Sequence, residues 1–119
     1  MTRRIEGNTL IILDDKGNDV LTIKVIQADD VTMLVTSGSI NHDVAPEFED
    51  ELMSILTSGC DVAVDFTALE HISAPALNAL LSVQKLVDNK RYKFYIQNLS
   101  ASVKKIFEDT GFIDLLEIR

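Results

Sequence analysis

Tryptophan is absent from this 119-residue chain, and cysteine occurs once, at Cys60. A single cysteine allows neither an intramolecular disulfide nor a zinc site built on cysteines. It sits at a strand start and reads as a small buried hydrophobe. The five glycines are scattered at positions 7, 17, 38, 59 and 111, so neither a dinucleotide fingerprint nor a P-loop can be assembled. His42 and His71 are the only imidazoles. Asp43 and Glu70 adjoin them, but adjacent side chains do not converge on one ion, and no metal or other cofactor is expected. Positive charge is also scarce. Eleven Lys and Arg against nineteen Asp and Glu leave a net charge of −8, which argues against nucleic acid or an anionic membrane as the partner. No apolar run approaches the roughly 18 residues of a membrane span. The two N-terminal arginines precede no signal-length apolar stretch. These absences point to a soluble cytoplasmic protein of bacterial style, with no membrane insertion. With no nucleophile elbow and no acid–base pair organised by spacing, an enzyme is the least expected class.

What is present is an ordinary core-forming composition, 46% hydrophobic and 25% charged, enough for one domain. Thr9–Leu13 is a short apolar run closed by the turn cluster Asp14-Asp15-Lys16-Gly17-Asn18. It should form an edge strand or exchange with another chain, which allows a homodimer through the N-terminal strand. Leu21, Ile23 and Val25, then Val31, Met33 and Val35, alternate along two β-branched strands joined across Ala28-Asp29-Asp30. Phe48, Leu52, Ile55 and Leu56 mark one face of a helix with Pro46 in its first turn and Gly59 at its end. Cys60–Phe66 reads as a buried strand and Thr67–Ala74 as a loop. A second helix carries Leu77, Leu80, Leu81 and Val87 and ends at Asn89-Lys90. Tyr92–Gln97 is a further strand. Ser100 N-caps a last helix whose stripe is Val103, Ile106 and Phe107, and Thr110-Gly111 ends it. The apolar tail from Phe112 to Ile118 should dock on the sheet. Strands separated by helices need parallel pairing. The expected fold class is therefore α/β, a mixed sheet with α-helices packed mainly on one face.

Two places draw functional interest. Ile72-Ser73-Ala74-Pro75-Ala76-Leu77 is a run of small residues between a strand end and a helix start. Ser73 should cap that helix by accepting from Ala76, because Pro75 has no N–H to give. Such a helix N-terminus suits an anion or a docking partner. Asp65 should bond loop backbone N–H groups. Lys104 and Lys105 read as a solvated helix face.

Three segments, in order, resemble the STAS family, the domain of bacterial anti-sigma factor antagonists and of sulfate transporter tails. They are Gly38–Phe48, Val64–Leu81 (VDFTALEHISAPALNALL) and Asn98–Phe112, and the resemblance spans Leu21 to Arg119. It implies a STAS-like mixed sheet in residues 21–119, preceded by an N-terminal extension, residues 1–20, with an extra strand. It implies a non-enzymatic protein–protein interaction domain whose partner is an anti-sigma factor or a serine-kinase-like regulator. The partner surface would comprise Ser39, Asn41, His42 and Asp43 at one junction, and His71, Ser73, Ala74, Pro75, Ala76 and Asn78 at the other. The family's phosphoacceptor lies two or three residues before the leucine matching Leu77. Pro75 and Ala74 stand there and carry no hydroxyl, which leaves Ser73 as a displaced candidate for phosphorylation. Alternative roles are a constitutive scaffold subunit of a regulatory or transport complex, or a domain sensing a small ligand, a nucleotide or lipid, beside Ser73.

Overall fold

The computed structural model describes residues 2–56, 59–87 and 91–119. Six strands form one sheet in chain order: β1 (Thr2–Glu6), β2 (Thr9–Leu13), β3 (Asp19–Ala28), β4 (Val31–Ile40), β5 (Asp61–Ile72) and β6 (Phe94–Gln97). The first four are antiparallel neighbours, whereas β4–β5 and β5–β6 are parallel. The parallel pairs are bridged by α1 (Ala45–Leu56) and α2 (Ala74–Val87), and α3 (Ala101–Thr110) follows β6. Successive crossovers of one hand, advancing in one direction across a sheet, place their helices on one face. Accordingly, Phe48 and Leu52 of α1, Leu77 and Leu80 of α2, and Val103 and Phe107 of α3 join the sheet in a single buried cluster. The mixed sheet with helices on one side is thus the architecture expected from the sequence.

Alternation along the strands supplies the sheet's half of that core. The register aligns Leu10 with Ile23, Ile12 with Leu21, Leu34 with Val64, and Val64 with Ile96, so these side chains share the helix-bearing face.

Two strands differ from expectation. Thr9–Leu13 is not the edge: β1 pairs along its outer side, leaving β2 internal with four buried residues. Every residue of β1 is exposed, so it has no apolar periodicity by which it could be recognised, and its charges suit an edge. The second difference is β5, which does not stop at Phe66 but continues through Thr67–Ile72. Its register against β4 shifts twice, between Val35 and Ser37 and between Gly38 and Ser39. Each shift sets an extra β5 residue against β4, as a bulge does. The buried positions therefore fall at Phe66, Leu69 and Ile72, spaced by three rather than two.

The chain ends as expected. Ser100 accepts from the Val103 N–H as N-cap of α3, and Gly111 terminates that helix at φ +80° with its N–H on the Glu108 carbonyl. The tail bridges to β6 through Ile96 and Ile118, with the Arg119 N–H on the Ile96 carbonyl at 2.7 Å. The expected helix end at Asn89-Lys90 lies outside the described residues. Cys60 is half-buried rather than buried, and its Sγ lies 3.1 Å from Thr32 Oγ1.

The facing of α2 sets a stability test. Leu77 is 1% exposed and Asn78 is exposed, while Leu81, expected in the core, is only half-buried. Leu80 takes the buried place, because a stripe at 77, 80, 83 and 87 follows the helical repeat and leaves 81 at its margin. Leu77→Ala is expected to cost about 2–5 kcal/mol. Leu81→Ala should cost roughly 1 kcal/mol and Asn78→Ala within about 0.5 kcal/mol of zero. Urea melts that ranked Asn78→Ala above Leu77→Ala would reverse this facing.

Candidate functional site

The parallel β4–β5 pair ends in two junctions that lie side by side. Ser39 is the register partner of His71, and Ile40 that of Ile72. The Ser73 N–H donates to the Ile40 carbonyl at 2.8 Å, which ties the start of α2 to the end of β4. The Asn41 carbonyl accepts from the Val44 and Ala45 N–H groups at 3.2 and 3.0 Å and opens α1. The outcome is that residues about thirty positions apart in sequence share one rim of the sheet, at the carboxyl ends of its parallel strands.

An open groove of about 400 Å³ separates the first turns of the two helices, lined by His42, Ala45, Pro46, Glu49, Asp50 and Pro75. His42 and Pro75 thus line one groove from opposite sides. Asn41, Asp43, His71, Ala74 and Asn78 are exposed around the same rim, and Ser39 is half-buried. Ser73 and Ala76 do not present themselves to a partner: they are 4% and 0% exposed.

The expected cap at Ser73 does not form. Its Oγ is buried and has no hydrogen-bond partner. Pro75 removes one of the two N–H groups an N-cap side chain can reach. The Ser73 backbone is meanwhile held at both ends, by its N–H on Ile40 and by its carbonyl, which accepts from the Leu77 N–H at 3.0 Å.

The electrostatics around the groove are one-sided. Glu49 and Asp50 line it, and Asp43 and Glu47 line a second open groove of about 450 Å³ with Asp14 and Asp15 from the β2–β3 turn. In the sequence Asp14 and Asp15 belong to a turn, some thirty residues before the acids of α1. Only the close approach of that turn to α1 joins them. Among the described residues no group of three or more His, Cys, Asp or Glu side chains is placed to hold a metal ion. No helix among them is long and apolar enough to cross a membrane.

Asp65 lies within β5 rather than at its end. Its Oδ1 accepts from the Thr67 N–H at 2.8 Å, as expected, and its Oδ2 from Asn98 Nδ2 at 3.0 Å. Burial alone would raise its pKa, but the hydrogen bonds from Asn98, Thr67 and Gln97 outweigh it and lower the pKa. A carboxyl depressed in the folded state stabilises the fold above its unfolded pKa and loses that contribution as pH falls through the folded value. Asp65→Asn is therefore expected to lower stability near pH 7, and the difference from the parent should shrink only as pH falls from about 4 through the lowered folded value. Urea melts across that interval check this, and a constant difference at every pH would contradict it.

The STAS domain family model matches residues 22–119, and the chain belongs to that family. The chain is 24% identical over 99 residues to the anti-sigma-B factor antagonist of Staphylococcus epidermidis, covering 82% of this chain and 92% of that protein. Among solved structures it resembles an anti-sigma factor antagonist from Mycobacterium paratuberculosis, with a TM-score of 0.75 at 17% identity, covering 90% of this chain and 89% of that one. It also resembles the anti-sigma factor antagonist SpoIIAA in its unphosphorylated form, with a TM-score of 0.66 at 12% identity over 82% and 87% of the two chains. The fold is SpoIIAA-like, and the sequence is similar to those of anti-sigma factor antagonists.

Proposed function

We propose that this chain is a non-enzymatic regulator that binds an anti-sigma factor or a serine-kinase-like regulator through the rim of β4 and β5, without a phosphate switch. The observation that carries it is the pairing of Ser39 with His71, which gathers the two junctions into one surface. The contact residues are Ser39, Asn41, His42, Asp43, His71, Ala74, Pro75 and Asn78. Residues 1–20 are an extension outside the STAS domain, in keeping with a family match that begins at residue 22.

The missing switch follows from chemistry at three positions. Ala74 and Pro75 have no hydroxyl, and Ser73, which has one, is 4% exposed. A kinase needs the side chain in its own active site, so Ser73 is out of reach unless the β5–α2 junction opens. A scaffold subunit insensitive to phosphate is the second reading, favoured by the same three residues.

Ala74→Asp tests the surface. Ala74 is exposed at the first position of α2, where a carboxylate is favourable to the helix, so the fold should be kept. Affinity for the partner should fall at least about tenfold, a change of roughly 1.4 kcal/mol. The experiment is parallel capture from native lysate on parent and variant baits, with and without ATP, followed by mass spectrometry. Retention of an anti-sigma factor or kinase-like regulator by the parent alone, unaffected by ATP, is the expected result. Equal capture by both baits rejects the surface. A phosphate on Ser73 with loss of binding rejects the missing switch.

A further inference from the structure

The outer edge of the sheet is as unusual as its rim. β1 has no neighbour beyond β2 in the six-stranded order, all its residues are exposed, and Ile5 is 71% exposed. Unpaired edges are normally blunted by charge. Here the charges are arranged so that one pairing is left open, and we propose that β1 pairs antiparallel with β1 of a second copy, Ile5 opposite Ile5 of the partner subunit.

The register follows from symmetry and charge. Ile5 pairs with Leu10 and Arg3 with Ile12, which places both on the helix-bearing face, while Arg4 pairs with Ile11 and lies with Glu6 on the other face. A two-fold axis that sets two edges antiparallel runs perpendicular to the sheet. It keeps the helices of both copies on one side and pairs only residues of like face. The axis must then pass through one residue of the strand. At Thr2 only the first residues of the strand would find partners, and at Arg3, Arg4 or Glu6 it brings a charge against its own copy, which is repulsive. At Ile5 it brings two exposed isoleucines together, and it sets each Arg4 against Glu6 of the partner subunit, twice by symmetry.

Neighbouring contacts agree with this choice. Arg4 Nε and Glu6 Oε1 already approach to 3.7 Å within the strand, so both occupy the face where the new pairs would form. Arg3 is engaged on the helix side, 3.0 Å from Glu47 and 3.6 Å from Glu51. In the proposed register it meets the partner's Gly7, which has no side chain to disturb those pairs. Alternation along the hairpin also leaves the Ile5 N–H and C=O pointing away from β2, because Glu6 and Thr9 flank the two-residue turn. The contact is small, well under the roughly 1,200 Å² of a stable dimer, so the association is weak and reversible. This surface lies apart from the β4–β5 rim, so its failure leaves the proposed partner binding untouched, and the reverse holds.

Sedimentation of the full chain between about 10 µM and about 1 mM reads it directly. The parent should shift from monomer to dimer with concentration. Arg4→Glu sets Glu against Glu6, and Glu6→Arg sets Arg against Arg4, so each variant alone should be monomeric. Mixed in equal amounts, the two should form a heterodimer, since every facing pair is then of opposite charge. A monomeric parent, dimers that survive both substitutions, or a mixture that stays monomeric would each overturn the proposal. Should either charge variant fold poorly, Ile5→Cys on a Cys60→Ser background provides a second reading. Facing residues of an antiparallel pair have Cα atoms about 4.5–5.5 Å apart, within disulfide range. Oxidised glutathione should therefore convert that variant to a disulfide dimer at high concentration, and persistence of free monomer would reject the register.

Discussion

Gly38→Ala is expected to destabilise the fold by about 3–5 kcal/mol, a large share of the roughly 5–15 kcal/mol typical of a domain. Gly38 lies within β4 opposite Leu21, at φ +99°, where an L side chain is strained by about 1–3 kcal/mol. A Cβ added there would fall 2.3 Å from the Val20 carbonyl oxygen. That oxygen belongs to the backbone of β3, so relief requires the two strands to part rather than a side chain to turn. Gly17, at φ +83° in an exposed turn, has nothing within 4 Å of its would-be Cβ. Gly17→Ala should carry the strain alone, about 1–2 kcal/mol. Paired urea melts separate the two contributions, and equal costs would mean that β3 and β4 do not approach as described.

Phe66→Ala should be comparably damaging, about 3–5 kcal/mol. Phe66 is fully buried. Its ring stands 6.5 Å from that of Phe48 on α1 and 6.4 Å, edge-on, from that of Phe107 on α3. Removing it leaves a cavity where one strand and two helices meet, and each flanking ring loses an aromatic contact. The Ser100 N–H also donates to the Phe66 carbonyl at 3.2 Å, and Ser100 Oγ to the Leu69 carbonyl at 2.6 Å. Disturbing β5 at this point therefore reaches the start of α3. Loss of near-ultraviolet dichroism together with the lowered midpoint would mark that spread. A cost below about 1 kcal/mol would place Phe66 outside the core.

Much of this architecture was legible because helices and regular strands announce themselves locally. Phe48, Leu52 and Leu56 are buried with Ile55 half-buried at their margin, and Val103 and Phe107 with Ile106 at theirs, as helical spacing requires. Ser100 and Gly111 act as caps because their side-chain chemistry, or its absence, suits those positions whatever surrounds them. Illegible were the segments whose pattern depends on a neighbour. Thr67–Ile72 looks like a loop because its buried residues recur every third position, and only bulged pairing with β4 makes that spacing a strand. β1 buries nothing, so no period marks it. Ser73 looked like a cap, yet its hydroxyl is turned into an unpartnered buried position by a backbone fixed from β4.

By itself, the sequence determined the order of the helices and of the regular strands, the buried stripes of α1 and α3, the caps of α3, the acidic balance and the resemblance to the STAS family. These depend on interactions within a few residues, which a linear pattern records. Tertiary structure alone decided that Ser39 stands beside His71, that Asp14 and Asp15 join the acids of α1, and that β1 rather than β2 forms the edge. Each of these is a contact between distant segments, and strand registers and crossovers, not local spacing, choose which distant segments meet.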